Sequence, residues 1–200
     1  NLGNIHSDRG NYDLARQQHQ EALAIRRRIN DRPGIAYSLL NLGSVEMDTG
    51  NYDEARRMQL ENLGLLRNIG DRMALSRVLS NLGNIAELQH LYNEARAYYE
   101  ESIALCQQMG DQQGHATNLR YMGRISRATG DLTTAMNYFQ RSLALAHSVR
   151  AIPSVLFALS DIASLARREG RPAEALEILL LVKREFEARN HRTASSRAFC

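Results

Sequence analysis

Apolar and small residues recur along this chain at a fixed interval. Leu2-Gly3, Leu42-Gly43, Leu82-Gly83, Met122-Gly123 and Ile162-Ala163 stand 40 residues apart. Twelve residues after each small residue comes an alanine: Ala15, Ala55, Ala95, Ala135 and Ala175. A fixed period in this range marks a stack of identical supersecondary units. Within each unit the apolar residues follow helical spacing. Leu39, Leu42 and Val45 line one face of one helix, and Ala15, Ala22, Leu23, Ile25 and Ile29 line another. No stretch alternates with the period of a strand. Two helices per unit and short turns predict an all-α solenoid.

Turn residues divide the pattern into elements. The second helix of the first, truncated unit is predicted over 12–29, and the next helix over 33–48. A third runs from Gly50-Asn51 to Ile69, and the last covers 173–188. Gly50 is the expected left-handed terminator, and Asn51 is expected to cap the following helix with Glu54 as its capping-box partner. Asn30-Asp31 and Gly70-Asp71 read as stop-then-start pairs, with Pro33 in a first turn. Two places depart from the rule. His90-Leu91 replaces Gly-Asn, so that turn is expected to be strained or differently built. Residues 149–154 lack Gly-Asp, and Pro153 or Ser154 is expected to open the next helix. The units fall at about 1–30, 31–70, 71–110, 111–150 and 151–189, a single array, with 190–200 a flexible tail lacking apolar periodicity. The small pairs, such as Gly43 with Ala55, are read as close-approach points. A larger side chain at either should cost roughly 1–3 kcal/mol by overpacking.

Composition sharpens this. Apolar residues make up 44%, aromatics only 6%, and there is no Trp, which suits Ala/Leu-rich helices better than sheets. No apolar run approaches the roughly 18 residues of a membrane span. Two cysteines, Cys106 and Cys200, form no disulfide framework, so a cytoplasmic, reducing setting is expected. Asn1 matches Asn41, well inside a unit, which reads as a fragment of a longer protein. The net charge of +3 is uneven. Residues 1–100 hold 12 Arg against 13 Asp and Glu, and residues 101–200 hold 13 Lys and Arg against 9 acids, so the balance is −1 and +4. Lys183 is the one lysine.

At the level of motifs the chain resembles the tetratricopeptide repeat. The carriers are Leu39/Leu42-Gly43/Ala55, Leu79/Leu82-Gly83/Ala95/Tyr99 and Leu119/Met122-Gly123/Ala135/Phe139. Trp is missing from the first slot, Gln59 replaces the aromatic, and Gly-Asp replaces the family's closing Pro. The 40-residue form resembles Pins-type adaptors and the repeat arrays that end bacterial signal-transduction ATPases and transcription regulators. The resemblance implies a right-handed solenoid whose first helices line a concave groove, acting as a non-enzymatic protein-interaction module.

That groove would be lined by the residues flanking Leu-Gly. Asn4, Asn41, Ser44, Asn81 and Asn84 are candidates to hold a peptide main chain, since an amide side chain both donates and accepts. An alternative is that Asn41 and Asn81 bond to a neighbouring helix turn. Tyr121 is a further groove candidate, and Arg77, Arg120, Arg124, Arg127 and Arg167 make the groove basic towards the last units, so a protein or peptide partner with acidic residues is expected. Nucleic acid is the weaker reading, because half the chain is acidic and the basic half has few aromatics. No nucleotide loop, metal-ligand spacing or catalytic pairing is present, so no cofactor, metal or enzymatic activity is expected. Leu180, Leu181 and Phe186 leave the last helix apolar on more than one side. Either further repeats follow, or this face self-associates. The adaptor reading thus stands beside a regulatory sensor array of a larger NTPase or transcription regulator, and beside a self-associating scaffold.

Overall fold

The computed structural model describes residues 11–197, and side chains for residues 11–184. Nine α-helices, and no strand, occur among the described residues: α1 (Tyr12–Arg28), α2 (Arg32–Asp48), α3 (Tyr52–Ile69), α4 (Arg72–Leu88), α5 (Tyr92–Met109), α6 (Gln112–Ala128), α7 (Leu132–Ser148), α8 (Ile152–Arg168) and α9 (Pro172–Arg197). The chain divides into two compact units, the first ending at Gly114 and the second beginning at His115.

One backbone device separates all these helices. A residue with positive φ occurs every 20 positions, at Asn30, Gly50, Gly70, His90, Gly110, Gly130, Arg150 and Gly170. The His90 turn is therefore not differently built. Its amide donates to Glu87 O at 3.0 Å and the Leu91 amide to Ala86 O at 2.8 Å, the same scheme that Gly50 and Asn51 form with Met47 and Glu46. His90 simply carries the left-handed strain a side chain entails, about 1 kcal/mol. The junction at 149–154 is likewise regular in its backbone. Arg150 takes the left-handed place, and α8 opens at Ile152 with Pro153 in its first turn.

Aspartates cap as expected. Asp31, Asp71, Asp111 and Asp131 accept from the amides of Gly34, Ala74, Gly114 and Thr134 at 2.9–3.0 Å. Asparagine does not. Asn51 makes no cap bond, because its amide donates instead to Glu46 Oε2 at 2.7 Å, while Glu54 pairs with Arg57. The expected capping box is absent there. The last helix also outruns its predicted end near 188. No glycine or proline interrupts 173–197, so helix propensity carries on past the end of the apolar spacing.

In the first unit, Leu23, Leu39, Leu42 and Met58 form one cluster, and Leu40, Leu63, Leu66, Val78, Leu79 and Leu82 form the next. In the second, Phe139 packs with Ala135, Ile162 and Leu165, and Ile178 lies against them. The small glycines serve one partner each. A Cβ on Gly83 would stand 2.4 Å from the Tyr99 ring, one on Gly123 2.5 Å from Phe139, and one on Gly43 2.3 Å from the Gln59 amide. Each glycine therefore seats the residue 16 positions later. His19, Gln59, Tyr99 and Phe139, which share this slot, are all buried. Leu179, their counterpart in α9, is half exposed.

Candidate partner-binding face

The residues flanking Leu-Gly sit on α2 and α4 in the first unit and on α6 and α8 in the second. Residues 37, 41, 44 and 48 of one helix share a face by their spacing. The same holds for their counterparts 40 residues on.

In the first unit this face is largely neutral. Asn41 is partly buried, and its amide nitrogen is enclosed with no hydrogen-bond partner in the protein. Ser44 donates back to Leu40 O at 3.1 Å, so its hydroxyl is engaged within α2. Asn84 donates to Met47 Sδ at 3.3 Å, joining neighbouring repeats across the face. Asn81 is partly buried, and Arg77 is exposed. Asn4 lies outside the described residues.

In the second unit the same positions carry charge and rings. The Arg120 guanidinium lies 4.9 Å from the Tyr121 ring centroid and 5.0 Å from that of Phe157, and reaches Asp161 at 3.1 Å. Arg127 reaches the other Asp161 oxygen at 3.5 Å and stands 5.9 Å from the Phe139 ring. Arg124 lies 5.4 Å from Tyr121. Asp161 occupies the position that is Asn in the first three copies. Sequence reading took Arg120 and Arg127 as ligand-directed, whereas the structure spends part of their charge on Asp161. Two guanidiniums still face one carboxylate. Arg167 is exposed.

A buried ion pair ties repeats of the first unit together. Arg16 of α1 binds Glu46 of α2 at 2.6 Å, with the Glu46 side chain only 5% exposed. Burial pushes the Glu46 carboxyl up, but hydrogen bonds from Arg16 and Asn51 outweigh it and hold the group below its ordinary range. Nothing in the 40-residue pattern signals this pair, since the positions equivalent to Glu46 are Ala86, Ser126 and Ala166. Phe157, also missed, could have been found, because it is the period counterpart of Tyr37 and Arg77.

Cys106 is buried, and burial raises its thiol pKa, which suits a packing role. Among the described residues, no group of three His, Cys, Asp or Glu is placed to hold a metal ion, and no helix is long and apolar enough to cross a membrane. Leu180 and Leu181 are 51% and 49% exposed, while Phe186 lies beyond the described side chains.

The tetratricopeptide repeat family model matches this chain over 1–61, 34–108 and 74–148. The chain belongs to the tetratricopeptide repeat family. Such an array is a protein-interaction module. No curated protein sequence matches the chain. Solved structures do. BtubC from P. vanneervenii is 18% identical with a TM-score of 0.77, over 94% of this chain and 78% of that one. A Rap protein complexed with Competence and Sporulation Factor is 14% identical with a TM-score of 0.80, over 88% of this chain and 50% of that one. A signal-transduction ATPase with a tetratricopeptide repeat sensor, from Pyrococcus horikoshii, is 19% identical with a TM-score of 0.71, over 90% of this chain and 29% of that one. At these identities the likeness is one of fold, an all-α helical repeat.

Proposed function

We propose that the chain is a non-catalytic module that holds a peptide or partner segment along the face of its first-in-repeat helices. The observation that carries this is the cluster in the second unit, where Arg120 and Arg127 converge on the single carboxylate of Asp161 beside Tyr121 and Phe157. Two cations on one anion leave a positive balance, and rings flanking a guanidinium hold it in place. A partner bringing Asp or Glu side chains completes that balance. In the first unit, Asn41 and Asn81, both only partly buried, supply amide groups suited to a peptide main chain.

The test is a titration of an acidic peptide library against the protein and an Arg124→Glu variant. The reading expects binding that weakens with added salt and falls about tenfold or more in the variant. Equal affinity for both proteins overturns it. A role as the sensor array of a larger protein is supported by the fold likeness to the signal-transduction ATPase with a tetratricopeptide repeat sensor. A second reading, self-association, is favoured by the exposed Leu176, Leu179, Leu180 and Leu181 of α9. Solution mass across a concentration series decides it, since a strict monomer rules it out.

A further inference from the structure

A cavity of about 260 Å³ lies in the first unit between α2, α3 and α4. Leu40, Leu66 and Asn62 form its buried floor, and Tyr37, Met73 and Arg77 its exposed rim. Its walls are mainly apolar, but the floor is not uniformly so. Asn62 is 0% exposed. Its Nδ2 donates to Ala36 O at 2.9 Å, which leaves Oδ1 as an acceptor with no partner in the protein. An enclosed acceptor without a donor costs about 1–3 kcal/mol.

The repeat itself supplies the comparison. The counterparts of Asn62 are Ser102 and Ser142, which donate to Ser76 O at 2.8 Å and Ala116 O at 2.7 Å, the same carbonyl one and two periods on. A serine therefore suffices for the structural bond. Asn62 makes that bond and adds an acceptor that packing does not use.

The geometry points to a recognition pocket for a planar apolar group carrying one N–H or O–H donor, with that donor bonding to Asn62 Oδ1. The volume fits a group the size of an indole or a phenol, and the walls supply apolar contact while the acceptor selects the donor. At rest Oδ1 is closed over, so a ligand reaches it by displacing a rim side chain. Met73, exposed and unbranched, is the one suited to move. Tyr37 and Arg77 share the repeat position one turn before Asn41 and Asn81, so the mouth opens on the proposed partner face. The inference rests on that reading only for the claim that a bound segment delivers the group.

The experiment uses free indole and 1-methylindole against the whole chain. The protein has no Trp, so indole emission reports the ligand. Saturable indole binding is expected, with 1-methylindole about tenfold weaker because it leaves the buried acceptor unpaired. Asn62→Ser keeps the bond to the Ala36 carbonyl and should fold, yet lose the preference between the two probes. Shifts in the Met73 methyl resonance place the probe. Absence of saturable indole binding, or equal affinity of the wild-type protein for both probes, overturns the proposal. So does a preference retained in a folded Asn62→Ser variant. The probe is a free small molecule, so its failure leaves the Arg124→Glu test untouched, and the reverse.

Discussion

The partner face of the first unit and that of the second are built on the same repeat and carry opposite chemistry. In the first, Asn41, Asn81 and Asn84 are neutral beside a single exposed arginine, Arg77, and a buried ion pair, Arg16–Glu46, lies off the face. In the second, the position of Asn41 is Asp161, and two arginines and two rings gather round it. The scaffold residues hardly differ between them: Gly43, Gly83 and Gly123 each seat the residue 16 positions later. A repeat can thus diverge on one helix face, and in the residue that fills each slot, while the glycine that opens the slot is kept. The slots are enclosed and the glycine leaves no room for a side chain of its own, whereas the face is enclosed on one side only.

The most disruptive way to probe this contrast is to attack a shared slot. Phe139→Ala should cost about 3–5 kcal/mol by leaving a cavity, and Gly83→Val or Gly123→Val about 1–3 kcal/mol by overpacking against an aromatic ring. Thermal melts check both. Gly43→Ala should be milder, because the atom it meets first is the end of the Gln59 side chain. If Gly83→Val proved neutral, the slot would not be a packing constraint.

Next come the ion clusters that distinguish the units. Glu46→Gln should cost about 1–2 kcal/mol, less than a fully buried pair because Arg16 retains some solvent. Asp161→Asn should destabilise by a similar amount and leave Arg120 and Arg127 facing each other. The Glu46 pair should also make stability depend on pH. The folded carboxyl of Glu46 titrates below its unfolded value of about 4.3. Its contribution is therefore present above that value and is lost as pH falls through the lower folded pKa. Denaturant titrations from neutral pH into the acid range should show this loss in the wild-type protein and a flatter dependence in Glu46→Gln.

Turns should give smaller effects. His90→Gly and Arg150→Gly relieve left-handed side chains, one in each unit, and should stabilise by about 0.5–1 kcal/mol. Equilibrium unfolding resolves a shift of that size. Smallest of all, replacing Glu54, whose pairing with Arg57 is largely exposed, should change stability by less than about 0.5 kcal/mol.

Much of the fold was legible because its signals are local. Leu42-Gly43 and Ala55 announce a helix pair, and Gly70-Asp71 announces a stop and a cap. The 40-residue spacing announces stacking. Even the turns at His90 and Arg150, whose residues break the pattern, keep its backbone, because the flanking helices impose the left-handed residue between them. Asn51 departs from the expected cap because its side-chain amide turns back to Glu46, five residues earlier across the same turn, where Arg16 from another helix also binds.

By itself, then, the sequence determined the helices, their lengths to within a turn except at α9, and the residues that seat one helix on the next. Propensity, capping and period act over a few residues and can be read along the chain. Only the tertiary structure decided how charges and polar groups are spent. It paired Arg120 and Arg127 with Asp161, buried Glu46 against Arg16, and left Asn62 Oδ1 enclosed beside a cavity. Those outcomes depend on which side chains from neighbouring repeats meet, some 30 to 40 residues apart in sequence. They also depend on how far each is removed from water, which no spacing along the chain records.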